Sequence, residues 1–568
     1  MVLPSLSLSF PPNKGTEMTA TGNAALTLAE KVRIDGSVAE ATLASDGALR
    51  WSSENGGECC LVFDNEVLGL EAAGVRITIR AFVEAHKSPA FCGGQGGLGR
   101  RVRRDYVLEM PTEEAASIWM DKIRAYLDSL GPYDIVDCNE PLFRKTDVFH
   151  WDVLALSSLY FYLIYTSVTK QLSFTASEYL FDVGRPKRLF IVINPYGGKK
   201  TALRIFDTEI KPLLVDANII YTMKETKHQL HAQQIAKTVD LLKFDGIVCV
   251  SGDGVLVEVV NGLLQREDWD SAIQVPLGII PAGCGTGNGM AKSLLDSVGD
   301  LYSVSNATFA VIRGYRRSLD VVTVAQGKTK FFSVLMLTWG LVADIDIESE
   351  KFRWMGSARL DFYSLLRILK LRMYQGHVQF VPAPGYETYG EPVRQSVCDS
   401  NAKLCKDDQR DTVNFSLCGY QGLAVGADGC EWRSMDGPFI SVWINNVPWA
   451  GEDVMPAPNA KFSDGYLDAI IIKECSKSVL LSLMLKMSDG SYCKSPYVTY
   501  LKVKAFRLEP GKRVGHPTKG GIVDSDGEVI ARGDYSDCDS KQENNLMSYG
   551  PPIQMTVDKG LATIFSPR

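Results

Sequence analysis

Three glycine-rich turns, each set between a short apolar run and an amphipathic stretch, commit the middle of this chain to a parallel sheet covered by helices. The first, Asn194-Pro195-Tyr196-Gly197-Gly198-Lys199, closes the run Arg188–Ile193. Ser251-Gly252-Asp253-Gly254 follows Gly246–Val250, and the stretch 281–289 (PAGCGTGNG) follows Leu277–Ile280. Between them, residues 217–222 read as a further strand and 228–242 as a helix. Strands of a parallel sheet run the same way, so all three turns fall at its carboxyl-terminal edge. Glycine-rich turns let backbone N–H groups approach anionic oxygens, and the helix N-terminus after each turn adds a favourable field. None has the Gly-Lys-Ser/Thr ending of a P-loop, and none is a dinucleotide-binding GxGxxG. Together at one edge they predict phosphate binding.

Asp253 stands between two glycines of a tight turn, where a core side chain is not expected. A carboxylate beside bound phosphates can accept the proton of an attacking hydroxyl. In the stretch 255–264, Glu258 and Asn261 share the polar face of a helix, and Val255, Leu256, Val259, Val260, Leu263 and Leu264 cover the rest. Glu258 reads either as an acid near Mg2+ or as a solvated helix residue.

A chain of 568 residues exceeds one hydrophobic core. Residues 33–110 alternate as short strands, with Asp35-Gly36 and Asp46-Gly47 turns and with Val75, Ile77 and Ile79 on one face. Thr112 then N-caps a helix whose Trp119, Ile123, Tyr126, Leu127 and Leu130 share a face, ending at Gly131. Residues 1–131 thus form an α+β unit that resembles a pleckstrin-homology-like module. Segment 132–183 is unpatterned. Its stretch 153–169 carries no charge for 17 residues, but five are Ser or Thr and three are Tyr. That falls short of the roughly 20 apolar residues of a membrane span, so a surface insert is expected instead. The α/β unit covers 184–320. Strand-like runs at 319–324, 331–337, 439–445, 466–472 and 498–508 predict a mainly β unit over 321–568, with a polar loop at 385–412.

Sixty Lys and Arg against 67 Asp and Glu leave a net charge of −7, so no nucleic-acid partner is expected. Thirteen cysteines without a CxxC pair, and six histidines without zinc-ligand spacing, fit a reducing, cytoplasmic setting. No basic segment precedes the apolar stretch at the N-terminus, so no secretory signal is expected.

NPYGGKK (194–200), SGDGVLVEVVNGLL (251–264) and LGIIPAG with TGNGMAKSL (277–294) resemble the conserved blocks of the diacylglycerol-kinase catalytic superfamily. WGLVADIDIESEKFRWMGSARLDF (339–362), RLEP (507–510) and DSDGE (524–528) resemble sphingosine kinases in particular, and the layout is most similar to plant long-chain-base kinases. The resemblance spans about 184–568 apart from the polar loop. It implies an α/β nucleotide-binding domain related to NAD kinase and phosphofructokinase, followed by a β-sandwich that takes the lipid, with ATP and Mg2+ in the cleft between them. The implied reaction phosphorylates the primary hydroxyl of a sphingoid base, with Asp253 as general base. By the same resemblance Asn194, Gly198, Lys199, Thr226, Ser251, Gly252, Gly254, Glu258, Gly283, Thr286, Gly287, Asn288, Arg353, Arg359 and Asp526 would hold ATP. Glu258, Asp526 and Glu528 would lie near the metal. Asp346 would grip the substrate ammonium, beside Leu341, Val342 and Ile345. Diacylglycerol and ceramide are the rival substrates, and a catalytically impaired lipid-binding or scaffold protein is the rival of another class.

Read without that resemblance, Asp344, Asp346, Glu348 and Glu350 alternate with isoleucines and would share one face of a strand. Residues 360–374 are apolar over most of a helix, with Arg367, Lys370 and Arg372 as the cations, so the helix either packs in the core or borders a lipid channel at a membrane surface, and the family resemblance implies the second. Arg100–Arg104 and the trio Arg313, Arg316 and Arg317 are two further basic clusters, which read first as solvated patches and second as sites for anionic lipid head groups. Two departures from the family stand out. Cys284-Gly285 lengthens the third turn, by up to about 3.5 Å of chain per residue, enough to disturb phosphate contacts. Deleting 132–184 joins SLG directly to RPKRLF, the junction the family would have, so the segment reads as a retained intron-derived insertion.

Overall fold

The computed structural model describes residues 28–52, 57–85, 100–130, 184–198, 200–282, 287–356, 358–393, 419–423, 431–533 and 546–568. Gly131, the insertion 132–183 with its apolar stretch, Lys199, the four residues 283–286 and most of the polar loop lie outside them. Among the described residues, no helix is long and apolar enough to cross a membrane.

Seven strands open the chain: β1 (Leu28–Ile34), β2 (Ser37–Leu43), β3 (Ala48–Ser52), β4 (Glu58–Val62), β5 (Val67–Ala73), β6 (Arg76–Glu84) and β7 (Arg101–Glu109). They form one sheet in the order β4-β3-β2-β1-β7-β6-β5. Ile77 and Ile79 are buried as alternation requires, whereas Val75 sits in the β5–β6 turn and is exposed. Helix α1 (Glu113–Ser129) starts where expected, with the Thr112 hydroxyl accepting from Ala115 N–H at 3.1 Å. Its Trp119, Met120 and Ile123 close the core of this sheet, which is the layout of the expected module.

The α/β part carries β8 (Arg188–Ile193), β9 (Ile220–Glu225), β10 (Gly246–Val250) and β11 (Leu277–Ile280), parallel and in the order β11-β10-β8-β9. β10 and β11 are buried throughout, as strands covered on both faces must be. β9 begins later than expected because Asn218 turns the chain in the left-handed region (φ 56°). Helices α2 (Lys211–Asp216), α3 (His231–Thr238), α4 (Asp253–Leu264), α5 (Gly289–Asp296) and α6 (Val304–Arg313) pack on the sheet. α3 is shorter than predicted, bounded by left-handed Leu230 and extended Val239. After β9 the chain returns past β8 to build β10, so the sheet reverses direction between β8 and β10. In open α/β sheets ligands bind at such a switch point, outside the carboxyl ends of the strands.

The expected boundary at 320/321 falls inside a strand. β12 (Arg316–Gln326) pairs antiparallel with the last strand, from Arg316↔Phe565 to Ala325↔Gln554, and Ile564 of that strand also pairs with Leu277 of β11. One continuous sheet therefore joins the two halves. Its further strands are β13 (Thr329–Ser333), β14 (Met336–Gly340), β15 (Tyr374–Pro382), β16 (Glu391–Pro392), β17 (Arg433–Asp436), β18 (Ser441–Asn445), β19 (Leu467–Ile472), β20 (Thr499–Arg513), β21 (Ile522–Ser525), β22 (Glu528–Arg532) and β23 (Ile553–Phe565). The sheet folds over a core that includes Leu337, Trp339, Val442, Ile471, Phe506 and Met555. Helices α7 (Leu341–Glu348), α8 (Ala358–Leu369) and α9 (Lys477–Met484) lie outside that core.

The acid run is helical, which corrects the strand reading. Asp344 and Glu348, one turn apart on α7, face inward together. Asp344 takes Arg367 at 3.1 Å and the Tyr374 hydroxyl at 2.6 Å, while Arg372 bridges to Glu348 at 2.8 Å. Arg367 and Arg372, with Tyr374, thus hold α7 to α8 and the start of β15. The two basic patches are also redirected. Arg103 and Arg80 clamp the buried Asp216 at 2.5 and 3.1 Å. Arg101 donates to the Asn65 carbonyl at 2.6 Å. Arg313 is buried against Asp64 and Asn65, and Arg317 lies over the Phe462 ring. Half-buried Arg185 donates to the carbonyls of Phe63 and Val67, and desolvation pulls its pKa down to about 10. Arg80, Arg103, Arg185 and Arg313 thus dock the first sheet onto the α/β domain, whereas Arg317 packs within the catalytic half.

Asp64 is the shared anion of that interface, with Arg313 at 3.5 Å, Arg568 at 3.2 Å and the Tyr315 hydroxyl at 2.6 Å. Asp64→Ala strands the buried Arg313 and should cost about 3 kcal/mol. Arg568→Gln, at an exposed partner, should cost under about 1 kcal/mol. Urea unfolding midpoints of the two variants check the contrast, and equal losses would refute it.

Candidate active site

The three turns meet at one edge. Asn194 N–H donates to Val250 O at 3.3 Å, Ser251 N–H to Ile280 O at 3.2 Å, and Thr226 N–H to Ile193 O at 2.9 Å. The Asn194 side chain accepts from Tyr196 N–H, and Gly198 takes a positive φ of 48°, so the first turn curls over the strand end. Gly252 is the N-cap of α4 and Asn288, buried, that of α5. At Gly254 and Gly287 a side chain would project into open space. The backbone there is open to a ligand, which is the cradle that nucleotide phosphates require. Gly289 is the opposite case: a Cβ would stand 2.3 Å from Trp449 O.

Asp253 corrects one expectation, for it is only 4% exposed. Its N–H donates to Gly287 O at 2.9 Å, and its carboxylate accepts from Gly289 N–H at 2.6 Å and Met290 N–H at 3.2 Å. The first residue of α4 therefore caps α5 and ties the second turn to the third. Burial lifts its pKa to about 7, and the two amides hold it from rising further.

Asp526 enters from the β-rich side, at the β21–β22 turn, with φ 53°. One oxygen accepts from the Ser333 hydroxyl and from Leu335 and Met336 N–H at 2.9 to 3.1 Å. The other is buried and has no hydrogen-bond partner among the described residues. Burial raises this acid to about 6. No group of three or more Asp, Glu, His or Cys is arranged to hold a metal ion among the described residues. A Mg2+ ion keeps waters and uses one or two carboxylates with substrate phosphates, and the unpartnered oxygen of Asp526 is the one that would serve such an ion.

Glu258 does not fit that role, nor is it solvated. Its two oxygens accept from Leu230 N–H at 3.0 Å and Ala232 N–H at 2.9 Å, capping α3. Glu528 is exposed and accepts from Gln229 across the domain junction at 3.0 Å. Asn261 is buried and bonds both ways with the Phe332 backbone, so it shares no polar face with Glu258. Arg359 is buried and pairs with Glu350 at 2.5 Å. Lys199, Gly283, Thr286 and the Arg353 side chain lie outside the described residues.

Asp346 is half-buried on α7; burial raises its pKa and Arg359 opposes the rise. Leu341 and Val342 line an apolar cavity with Ser441, Trp443, Ile470, Ile472, Leu480, Leu483, Met484, Met487 and Tyr492, and Ile345 packs on the same cluster. Sequence reasoning missed the β18, β19 and α9 walls of this cavity, which no local pattern distinguishes from core. It also passed over Asp524, whose burial only pairing with β14 reveals.

A carboxylate capped into glycine turns, an opposing acid and an apolar cavity define a phosphotransferase that acts on a lipid. The diacylglycerol kinase catalytic domain family matches residues 188–324, and the YegS C-terminal NAD kinase beta sandwich-like domain family matches 415–536. Sphingosine kinase 2 of Arabidopsis thaliana is 48% identical over 94% of this chain and 96% of its own length, and sphingosine kinase 1 of the same plant is 47% identical over 95% and 96%. Human sphingosine kinase 1 is 32% identical over 61% of this chain and 87% of its own. The chain belongs to the sphingosine kinase family of lipid kinases.

Asp253 also makes stability depend on pH. Between its unfolded value near 3.9 and about 7, the native state holds a proton that the unfolded chain has lost. Native stability therefore falls as pH rises through that window. Asp253→Asn removes this contribution, so its melting temperature relative to the parent chain should climb from pH 5 to pH 8. A constant difference in thermal melts would contradict the burial argument.

Proposed function

We propose that this chain transfers the γ-phosphoryl group of ATP to the primary hydroxyl of sphingoid long-chain bases. The observation that carries the reading is the placement of Asp253 at the glycine-turn edge, opposite a β-rich wall that holds Asp346 beside an apolar cavity. Ionised Asp253 accepts the hydroxyl proton as phosphorus is attacked, and its two backbone amides hold the carboxylate in position. Gly198, Gly254 and Gly287 present backbone to the phosphates, with Asn194 and Ser251 beside them at the strand ends. Mg2+ with the nucleotide neutralises phosphate charge, and Asp526 offers it an oxygen. Asp346 receives the ammonium of the base, and Leu341, Val342 and Ile345 guide its tail into the cavity. A neutral lipid such as diacylglycerol has no cation for Asp346.

The membrane is met at the cavity mouth in this reading. Phe362, Leu365 and Leu369 on α8 and Leu481 with Leu485 near α9 are exposed, and Lys370 and Lys486 flank them. An apolar face bordered by lysines suits an anionic surface.

Initial-rate assays on sphinganine, phytosphingosine, ceramide and diacylglycerol test the substrate class; turnover confined to ceramide or diacylglycerol would overturn it. Asp253→Asn should lower kcat about 10²–10⁴-fold while ATP binding, read by calorimetry, persists. Asp346→Asn should raise KM for sphinganine about tenfold or more, the worth of roughly one charge-assisted hydrogen bond. An equal loss with a neutral lipid would count against Asp346 as the amine anchor.

A further inference from the structure

A row of side chains crosses the β-rich sheet. Asp524 of β21 lies opposite Thr338 of β14, Thr338 opposite Trp443 of β18, and Trp443 opposite Ile470 of β19. Neighbours along each strand, among them Val523, Leu337, Trp339, Val442 and Ile471, point into the sandwich core. The row therefore faces the other side of the sheet. Trp443 and Ile470 line the apolar cavity. At about 4.8 Å per strand, Asp524 stands roughly 10 Å from Trp443, at the polar end of the row.

Asp524 is 0% exposed. Thr338 donates to one of its oxygens at 3.3 Å, and the other has no hydrogen-bond partner among the described residues. The charges that act on it most strongly, Asp346, Asp526 and Glu528, are all acidic. Two other buried acids of this domain face cations: Asp344 has Arg367 at 3.1 Å, and Asp468 has Lys502 at 2.9 Å. Asp346 faces Arg359, whose guanidinium Glu350 already engages. A buried carboxylate without a partner is costly. A primary ammonium carries three N–H donors and one positive charge, enough to satisfy two carboxylates at once.

We propose that Asp524 is a second carboxylate of the substrate head-group site, accepting from the ammonium of the sphingoid base together with Asp346 and setting the preference for free-amine lipids. The inference rests on the functional reading above and adds a specificity-determining residue to it. With the head group at Asp524 and Asp346, the tail runs along the row toward Trp443 and Ile470.

The test measures sphinganine kinetics, and inhibition by octadecylamine and by octadecanol, for the full chain and for Asp524→Asn. KM for sphinganine should rise at least tenfold with kcat within threefold and KM for ATP unchanged. The inhibition constant of octadecylamine should rise at least tenfold and that of octadecanol should stay within twofold. A folded variant with an unchanged amine-to-alcohol ratio overturns the proposal, because a purely structural role moves both inhibitors or neither. Asp524→Ser serves if the Asn variant is insoluble, and unfolding of both assigns Asp524 to structure and also overturns it. Should the parent chain not phosphorylate sphinganine, the functional reading fails separately. Amine and alcohol binding, followed by tryptophan fluorescence, then still decides for or against Asp524.

Discussion

The ladder between β12 and β23 is the contact on which the active cleft depends. The last strand of the chain pairs along most of β12, the strand that leaves the α/β domain, and touches β11 at Ile564. Both catalytic halves are thereby parts of one sheet. Backbone hydrogen bonds along a buried ladder are costly to leave unmade, so the two halves do not part without breaking it. The Asp253 cap and the Asp526 turn approach each other because of this pairing, though 273 residues separate them in sequence.

Within that frame the charges divide by location. Cations gather at the junction with the first sheet, where Arg185, Arg313 and Arg103 meet carbonyls and the acids Asp64 and Asp216. Acids gather at the cleft, where burial lifts Asp253 and Asp526 toward neutral pH. An acid with a pKa near 7 is a better proton acceptor than an ordinary carboxylate and is still ionised in part. The net charge of −7 therefore describes neither surface.

Much of the site was legible because it is local. Gly252-Asp253-Gly254 and the asparagine of the third turn are strand–turn–helix chemistry, in which a few adjacent residues carry both geometry and function. Asp346 was legible only through the family resemblance. Periodicity alone placed it on a strand, since alternation with Ile345 and Ile347 also satisfies a short helix. Glu258 misled because the N-terminus it caps, that of α3, lies 26 to 28 residues away from it. The basic clusters misled for a related reason: a run of arginines reads as solvated until a partner surface is known.

By itself the sequence determined that the central strands run parallel, the glycine turns at their ends, the Thr112-capped helix and the identity of the acid between two glycines. These depend on residues within one turn or one strand of each other. Tertiary structure alone decided that Asp253 is buried, that Arg367 and Arg372 pair with the acids of α7, and that Asp524 joins the end of a row leading to an apolar cavity. Burial and charge pairing are sums over groups brought together by distant strands, and strand pairing across hundreds of residues leaves no local mark in the chain.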